Sequence, residues 1–263
     1  MTVPIPMIGV LPAKRTGPSH WWHGFIAMLR WEITNMRLLL PLTVVVQVLF
    51  GAGFVLGIGL FFEDIPSRAA LFLSTGATTI TLIMVGLVMG PQLVAQQKLE
   101  GTYDYMWSLP VPRSAATTAW ITLNMIFAIP GMVVALLVAS WRYGVDLEIS
   151  FAIVPAVLLT LLTATLLGYA LAHAVTKPEV TLLLTQVLIF GIVGFSPINY
   201  PQDNLPGWLA ELHEYLPFLP MATVVRGGLT QGLVSNVVQS YVVLSAWGLI
   251  ALGLVAGSLG RRR

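Results

Sequence analysis

The side chains that could do chemistry are few in this chain and lie far apart in sequence. There is no cysteine, and the four histidines, His20, His23, His173 and His213, do not form the HEXXH spacing of a zinc protease. The G-x-x-x-x-G-K-[S/T] pattern that cradles nucleotide phosphates is also missing. Without cysteine, disulfides and thiolate metal sites are excluded. The sequence therefore predicts no catalytic, metal-binding or cofactor-binding residue in this chain.

One segment does combine charges with aromatic rings. It covers residues 96–113 and reads QQKLEGTYDYMWSLPVPR. Within this segment, Gly101 and the prolines at 110 and 112 bound a predicted short helix over roughly 102–108. Rings interleaved with charges on a short, rigid loop suit docking to a soluble partner protein. The alternative is a helix at a membrane surface that faces lipid, because aromatic residues favour that position too.

The rest of the chain consists mainly of long runs without charge. There are six of them, at 38–62, 69–97, 114–141, 149–176, 180–202 and 227–260. Each exceeds the roughly 20 apolar residues that a helix needs to cross a bilayer. Only 9% of the residues are charged and 57% are hydrophobic, whereas about a quarter are charged in a typical soluble domain. The sequence predicts an all-α integral membrane protein with six transmembrane helices.

The basic residues predict how the helices are oriented. With both termini in the cytoplasm, ten of the thirteen Lys and Arg residues are cytoplasmic, and only Arg68, Arg142 and Arg226 lie outside. Cytoplasmic loops of membrane proteins carry such an excess of positive charge. We therefore expect cytoplasmic N- and C-termini in a plasma membrane, most simply the inner membrane of a bacterium.

Two segments are expected to lie outside simple spans. Residues 1–19, rich in proline, read as a cytoplasmic tail, and residues 20–37 read as an amphipathic helix in the headgroup layer that leads into the membrane domain, residues 38–263. The apolar face of that helix comprises Trp22, Phe25, Ile26, Leu29, Ile33 and Met36, and the polar face His23, Arg30, Thr34 and Arg37.

The fifth charge-free run leads into a polar, proline-rich stretch, residues 195–220. We expect Asn204 to cap a short helix there, and a second short helix to run from Met221 towards Arg226. Such backbone persists at membrane depth only where protein or a wet cavity surrounds it. The prediction is a re-entrant outer hairpin between the fifth and sixth spans.

The charge-free runs also bear on how any transport would be driven. Ion-coupled carriers usually keep ionisable groups inside the bundle, and these runs have no Asp, Glu, Lys or Arg. Because a phosphate-binding motif is missing too, an ATPase that drives transport must be another polypeptide.

The loop between the second and third spans resembles a known signature. KLEGT at 98–102, followed by SLPVPR at 108–113, is similar to the cytoplasmic signature of type-2 permeases of ATP-binding cassette transporters. In that family a Glu-x-Gly-Thr-like element precedes a small-residue, Pro and Arg stretch, although here Glu100 directly precedes Gly101. LPGWL at 205–209, then Leu216-Pro217 and Arg226, is similar to the family's segment before its last span. The resemblance covers most of the chain and points to daunorubicin-resistance-like and multidrug exporter permeases.

The resemblance implies a set of partners and sites. The permease would pair with a second copy or a paralogue, and with two cytoplasmic ATPase subunits that bind ATP and Mg²⁺; membrane lipid surrounds it and no nucleic acid is involved. Segment 96–113 would be the coupling helix that contacts the ATPase, with the residues Lys98, Glu100, Gly101, Thr102, Tyr103, Asp104, Trp107 and Arg113. The substrate path would lie between the two permeases, and its polar candidates are Gln47, Thr78, Thr79, Thr185 and Gln186.

The expected function is half of the translocation pathway of an ATP-driven exporter. A hydrophobic or amphipathic substrate, such as a drug, a lipid or a lipid-linked molecule, is favoured because the cavity would carry few charges. The alternative is a membrane scaffold or assembly factor that recruits a partner through the same loop. An intramembrane enzyme has no credible set of catalytic residues in this sequence.

Overall fold

The computed structural model describes residues 17–38, 40–60 and 65–261, and the regular secondary structure of these residues is entirely helical. The α-helices are α1 (Pro18–Met36), α2 (Leu40–Gly59), α3 (Ser67–Ile83), α4 (Gly90–Leu99), α5 (Thr102–Ser108), α6 (Arg113–Tyr143), α7 (Ile153–Ala174), α8 (Pro178–Phe195), α9 (Gly207–Tyr215), α10 (Phe218–Leu229) and α11 (Val237–Arg261). A π-helical segment, Met84–Met89, joins α3 to α4. The predicted all-α fold is confirmed, whereas the tail at 1–16, Glu63, Asp64, Arg262 and Arg263 lie outside the described residues.

Five helices in the described part of the chain are long and apolar enough to cross a membrane. They are Ser67–Leu99, Arg113–Tyr143, Ile153–Ala174, Pro178–Phe195 and Val237–Ser258. A sixth crossing arises if α2 is counted together with α1, from which it is bent by 80°. The predicted six spans thus correspond to five clear candidates and one bent pair.

The last span is shorter than the charge-free run that predicted it. The run begins at residue 227, but α11 begins at Val237. Positive φ angles of 71° at Gly232 and 62° at Asn236 interrupt the helical backbone between α10 and α11. Absence of charge therefore located the span but not its first turn, because the polar loop at 230–236 carries no charge either.

The centre of the bundle is the continuous rod formed by α3, the π-segment and α4. An 18-residue stretch of this rod, apolar enough to cross a membrane, is 94% buried. Its side chains form a core with α7 and α10. Gly86 makes the closest crossing, because a Cβ there would lie 2.6 Å from the backbone nitrogen of Thr165 on α7. Hydroxyls along the rod donate to carbonyls one turn earlier, as from Thr78 to Ser74 and from Thr79 to Thr75, each at 2.9 Å. This is the local satisfaction expected of threonine in a membrane helix.

Glycines on α2 let it approach α6 closely. A Cβ at Gly51 would lie 2.7 Å from the carbonyl oxygen of Gly131, and one at Gly59 would lie 2.9 Å from the Tyr143 hydroxyl. Cβ atoms at Gly53 and Gly57 would meet nothing within 4 Å. Two of the four glycines in this span therefore serve helix packing, and small residues commonly do so in membranes.

The face that α1 turns towards the bundle shares only Met36 with the predicted apolar face. Its buried residues are Gly24, Met28, Glu32 and Met36, whereas Trp22 and Ile33 on the predicted face are 56% and 40% exposed. Gly24 sits against Val111 and Pro112, where a Cβ would lie 3.1 Å from each side chain. Periodicity finds an apolar face but does not say whether protein or lipid covers it, and here a narrow stripe with one glycine makes the protein contact.

The segment between α8 and α11 also differs in detail from its prediction. Asn204 lies in the 3₁₀ turn Gln202–Asn204 and does not cap a helix; Pro206 precedes α9 instead. Leu205 is extended, as the residue before a proline tends to be, so the helix cannot begin earlier. The second helix, α10, starts at Phe218 rather than Met221, since Pro220 falls in its first turn, where proline is tolerated. Its twelve residues span about 18 Å, which is too short to cross a bilayer.

The bundle has two distinct ends. The α5 end carries α5, the N-terminal turn of α6, the α7–α8 turn and the C-terminal end of α11, with the basic residues Lys98, Arg113, Lys177 and Arg261. The α9 end carries the α6–α7 link and α9, with Arg68, Arg142 and Arg226. The two groups of basic residues that the sequence separates are thus at opposite ends of the molecule.

Candidate functional site

The α5 helix is the short helix that the sequence predicts, with the same bounds. Gly101 before it has a φ of +74°, a left-handed conformation that glycine adopts without strain. Leu109 after it is extended, and Pro112 precedes the first turn of α6. Both connections are short, so α5 is held across the end of the bundle between α4 and α6.

The inner face of α5 carries two rings that pack against α7. Tyr103 is only 3% exposed, and its ring centroid lies 5.7 Å from that of His173. The Trp107 ring lies edge-on to His173 at 6.3 Å. His173 in turn stacks on Tyr169 at 3.8 Å. We call these four residues the ring cluster, and they make a rigid contact between α5 and the C-terminal half of α7.

The ring cluster is anchored on α6 as well. The Trp120 ring lies 5.2 Å from the ring of Tyr169. The hydroxyls of Thr117 and Tyr169 are hydrogen-bonded at 2.8 Å. Because buried hydroxyls need a partner, this bond fixes the position of the Tyr169 ring. A displacement of α5 therefore presses on two helices of the bundle at once.

Lys98 joins the end of α4 to the end of α7. Its Nζ donates hydrogen bonds to the carbonyl oxygens of Ala172 at 2.6 Å and Val175 at 2.9 Å. The last carbonyls of a helix carry a partial negative charge, so a cation is favourable there. Lys98 also lies 5.4 Å from the centre of the Tyr103 ring. This lysine therefore holds the site together from inside.

The outer face of α5 and of the turn before it is open. Glu100, Asp104 and Arg113 are exposed, and Leu99 and Tyr105 are 50% and 59% exposed. We call these five residues the α5 surface. Arg113 lies 5.8 Å over the Trp107 ring, and Glu100 accepts a hydrogen bond from Gln96 Nε2 at 2.8 Å. Charges of both signs around apolar and aromatic groups make a surface suited to a protein partner.

The residues that the sequence assigned to coupling are therefore divided between two faces. Lys98, Tyr103 and Trp107 point into the bundle, whereas Glu100, Asp104 and Arg113 point outward. Gly101 lies in the turn between α4 and α5, and Thr102 begins α5. Tyr105 was missing from that set although it is exposed. The spacing of Tyr103 and Trp107 was the available signal, because residues four apart share one helix face.

The five polar residues predicted for a substrate path are spread over three helices, and four of them are buried. They are Gln47 on α2, Thr78 and Thr79 on α3, and Thr185 and Gln186 on α8. Gln47 is buried, with its Nε2 2.7 Å from the Met89 sulfur. Thr185 is buried too and accepts a hydrogen bond from Gln92 Nε2 at 3.1 Å. Gln186 is exposed on α8.

A buried arginine at the α9 end was not predicted as a structural residue. Arg226 on α10 is 1% exposed. Its Nε donates to the Thr75 hydroxyl at 3.0 Å and its Nη2 to the Ile198 carbonyl, while the guanidinium lies 4.1 Å over the Phe72 ring. These contacts fasten α10 and the loop after α8 to the N-terminal half of α3.

Comparison with known proteins identifies the family. The family model for ABC-2 family transporter proteins matches residues 62–256, which is well over half of the chain. A linearmycin resistance permease protein, LnrN, from Bacillus subtilis (strain 168) is 22% identical over 155 residues. That match covers 59% of this chain and 39% of the relative, so the chain spans less than two thirds of the relative's length. The region that the family model matches includes the α5 surface and the ring cluster. The chain is a multi-pass membrane protein that belongs to the ABC-2 family of transporters.

Proposed function

We propose that this chain is the permease subunit of an ATP-driven exporter. It would form half of the translocation pathway for a hydrophobic or amphipathic substrate and would be driven by a separate ATPase. Membrane subunits of the ABC-2 family are not themselves ATPases, so ATP and Mg²⁺ would be bound by the partner. The family favours this function over a scaffold that only recruits a partner.

The observation that carries the proposal is the construction of α5. A seven-residue helix has little stability of its own, yet this one is fixed through the ring cluster and Lys98. Its other face is the α5 surface, which the described residues leave uncovered. A partner that moves this surface would move α7 directly, because Tyr103 and Trp107 touch His173. We infer that the cytoplasmic ATPase docks here and that its movements reach the bundle through these rings.

The choice of an apolar or amphipathic substrate rests on charge. Glu32 on α1 and Arg226 on α10 are the buried acidic and basic residues among the described positions, and both lie outside the five long spans. A path lined by these spans would offer no buried charged side chain to pair with a strongly charged solute. The Bacillus relative is named for resistance to linearmycin, which agrees with export rather than import.

The proposed pathway needs a second permease, either another copy or a paralogue. Large apolar side chains project outward from α8, with Leu183, Val187 and Phe190 between 66% and 72% exposed. Faces of this kind are covered by lipid or by a neighbouring membrane helix. We propose that two bundles rock between inward- and outward-facing arrangements when two ATPases close, and that the α5 end faces the cytoplasm of a bacterium.

The proposal is tested by reconstituting the permease with its ATPase in proteoliposomes. The variant Asp104→Ala/Tyr105→Ala removes a charge and an exposed ring from the α5 surface without opening a cavity. We expect it to lower copurification of the ATPase, and substrate-stimulated ATP hydrolysis, by on the order of tenfold or more.

A matched control is available at the other end of the bundle. Glu211→Ala/Tyr215→Ala removes an acidic group and a tyrosine that is 73% exposed from α9. It should leave ATPase docking unchanged. Equal docking by both double variants, or ATP hydrolysis that no candidate substrate stimulates, would contradict the proposed coupling.

A further inference from the structure

A small cavity lies on the inner side of α5, where the ends of α4 and α7 meet the first turns of α6. Its volume is about 10 Å³, and about 10–15 Å³ is the least that one water molecule needs. All four residues of the ring cluster line it, together with Gln97 on α4 and apolar side chains such as Val94 and Met106. The cavity can therefore take one very small molecule and nothing larger.

Two polar atoms on the lining residues are buried without a hydrogen-bond partner among the described residues. They are Nε1 of Trp107 and Oε1 of Gln97. An indole N–H can only donate, and a side-chain amide oxygen can only accept. The two atoms are thus complementary, yet they are not bonded to each other. Because buried polar groups are nearly always paired, a group that accepts from the tryptophan and donates to the glutamine would satisfy both.

His173 adds a third polar group to the wall. Its Nδ1 lies 2.8 Å from the carbonyl oxygen of Tyr169. A carbonyl oxygen only accepts, so Nδ1 carries the proton in the neutral ring and Nε2 is an acceptor. A molecule in the cavity can therefore accept one bond from Trp107 and donate one to Gln97 and one to His173.

The pattern of donor and acceptors selects the occupant. The indole N–H of Trp107 would repel a cation, and the amide oxygen of Gln97 would repel an anion. An apolar group would leave both atoms unpaired. A hydroxyl on a larger molecule would fit the pattern, but the volume excludes the carbon atoms attached to it. Water both donates and accepts, and a buried water in a protein typically makes about three hydrogen bonds.

We propose that this cavity binds one structural water molecule. The water accepts from Trp107 Nε1 and donates to Gln97 Oε1 and His173 Nε2. It connects α4, α5 and α7 at a single point beside the ring cluster. The α5 helix is then held to the bundle by a polar bridge as well as by its rings. The site belongs to the folded chain itself, so its test does not depend on the proposed transport function.

The most direct test is an experimental structure of the unmodified chain at a resolution that shows ordered water. We expect a density peak within hydrogen-bond distance, about 2.7–3.2 Å, of both Trp107 Nε1 and Gln97 Oε1. A map that shows other buried waters but no peak here would overturn the proposal. A direct bond between the two side chains would overturn it as well, because the pair would then need no bridge.

A cycle of single and double variants tests the bridge in detergent solution. Trp107→Phe removes the indole N–H and keeps an aromatic ring, and Gln97→Met removes the amide from a side chain of similar length. Each change takes one partner from the water, so each should lower the melting temperature by at least about 2–4 °C. The second change then has less to remove, and the double variant should lose clearly less than the sum. Additive losses would show that the two side chains share no partner.

A matched control is available beside α9. Trp247 Nε1 donates to the Tyr215 carbonyl at 2.7 Å, so its N–H is satisfied within the chain. Trp247→Phe removes the same group as Trp107→Phe, and in combination with Gln97→Met it should give additive losses. Coupling as strong as that between Gln97 and Trp107 would contradict the bridge, because Gln97 and Trp247 have no site in common. If Trp107→Phe does not fold, the density in the unmodified chain decides.

Discussion

At the scale of single residues, Glu32 is a side chain whose surroundings disfavour its charged form. It is 2% exposed on α1, which lies outside the five long spans. Its Oε1 accepts no hydrogen bond from the described residues. Burial raises the pKa of its carboxyl from 4.5 to about 7, because the charged form is poorly solvated there.

This carboxyl should make stability depend on pH. Between about pH 4.5 and 7 the folded chain binds more protons than the unfolded chain, so the free energy of unfolding falls as pH rises through this range. Glu32→Gln should remove the dependence and raise stability at pH 8 by up to about 3 kcal/mol. Thermal melts in detergent at pH 5 and pH 8 measure this. A larger gain at pH 5 than at pH 8 would show that the carboxyl does not carry the charge in this way.

Two tyrosines on α5 should respond differently to the same substitution. Tyr103 is 3% exposed and Tyr105 is 59% exposed. Tyr103→Ala opens a cavity in the ring cluster and should lower the free energy of unfolding by about 3 kcal/mol, whereas Tyr105→Ala should change it by less than about 0.5 kcal/mol. Melting temperatures of the purified variants measure the difference. Equal losses would mean that Tyr103 is not packed as described.

At the scale of elements, the crossing of the π-segment and α7 is the closest contact between helices. A Cβ at Gly168 would meet the carbonyl group of Gly86, with the carbonyl carbon at 3.0 Å. π-helical turns are rare and are often found at functional sites. Here the segment Met84–Met89 lies where the rod meets α7.

Gly168→Ala should therefore destabilise the bundle. The added methyl has no room, and overpacking of this kind costs about 1–3 kcal/mol. Gly194→Ala on α8 is the matched control, because a Cβ there meets nothing within 4 Å; it should be neutral or stabilising by up to about 1 kcal/mol. Denaturant or thermal unfolding in detergent compares the two. If Gly194→Ala were the more damaging change, the close crossing would be in doubt.

At the scale of the whole molecule, the distribution of charge determines how transport can be powered. The buried carboxylate and the buried guanidinium among the described residues belong to α1 and α10. In the middle of their length, the rod and helices α6, α7, α8 and α11 carry no ionisable side chain apart from tyrosine and histidine. Such a bundle has no obvious relay for protons or sodium ions.

Transport by the reconstituted complex should therefore require ATP and should not require an ion gradient. In proteoliposomes with the ATPase and its substrate, collapsing proton and sodium gradients should change the initial rate by less than about twofold, whereas omitting ATP should abolish transport. Uptake of a labelled substrate measures both. Transport by the permease alone down an ion gradient would contradict this prediction.

Much of the architecture was determined by local sequence. Runs without charge gave the spans, because an exposed charge in hydrocarbon is costly at every position. Gly101 and the prolines at 110 and 112 gave the bounds of α5 because they restrict the backbone whatever surrounds them. The serine and threonine hydroxyls of α3 needed only their own helix, so their bonding was predictable as well.

Tertiary structure decided which face of each element meets protein. Sequence placed Tyr103, Asp104, Tyr105 and Trp107 on one short helix, but only the position of His173 on α7 shows that two of these rings are internal. The sequence likewise could not show that Glu32 is buried. In a membrane both lipid and protein interior are apolar, so hydrophobicity does not distinguish a covered face from an open one. Only the packing of helices distant in sequence makes that distinction.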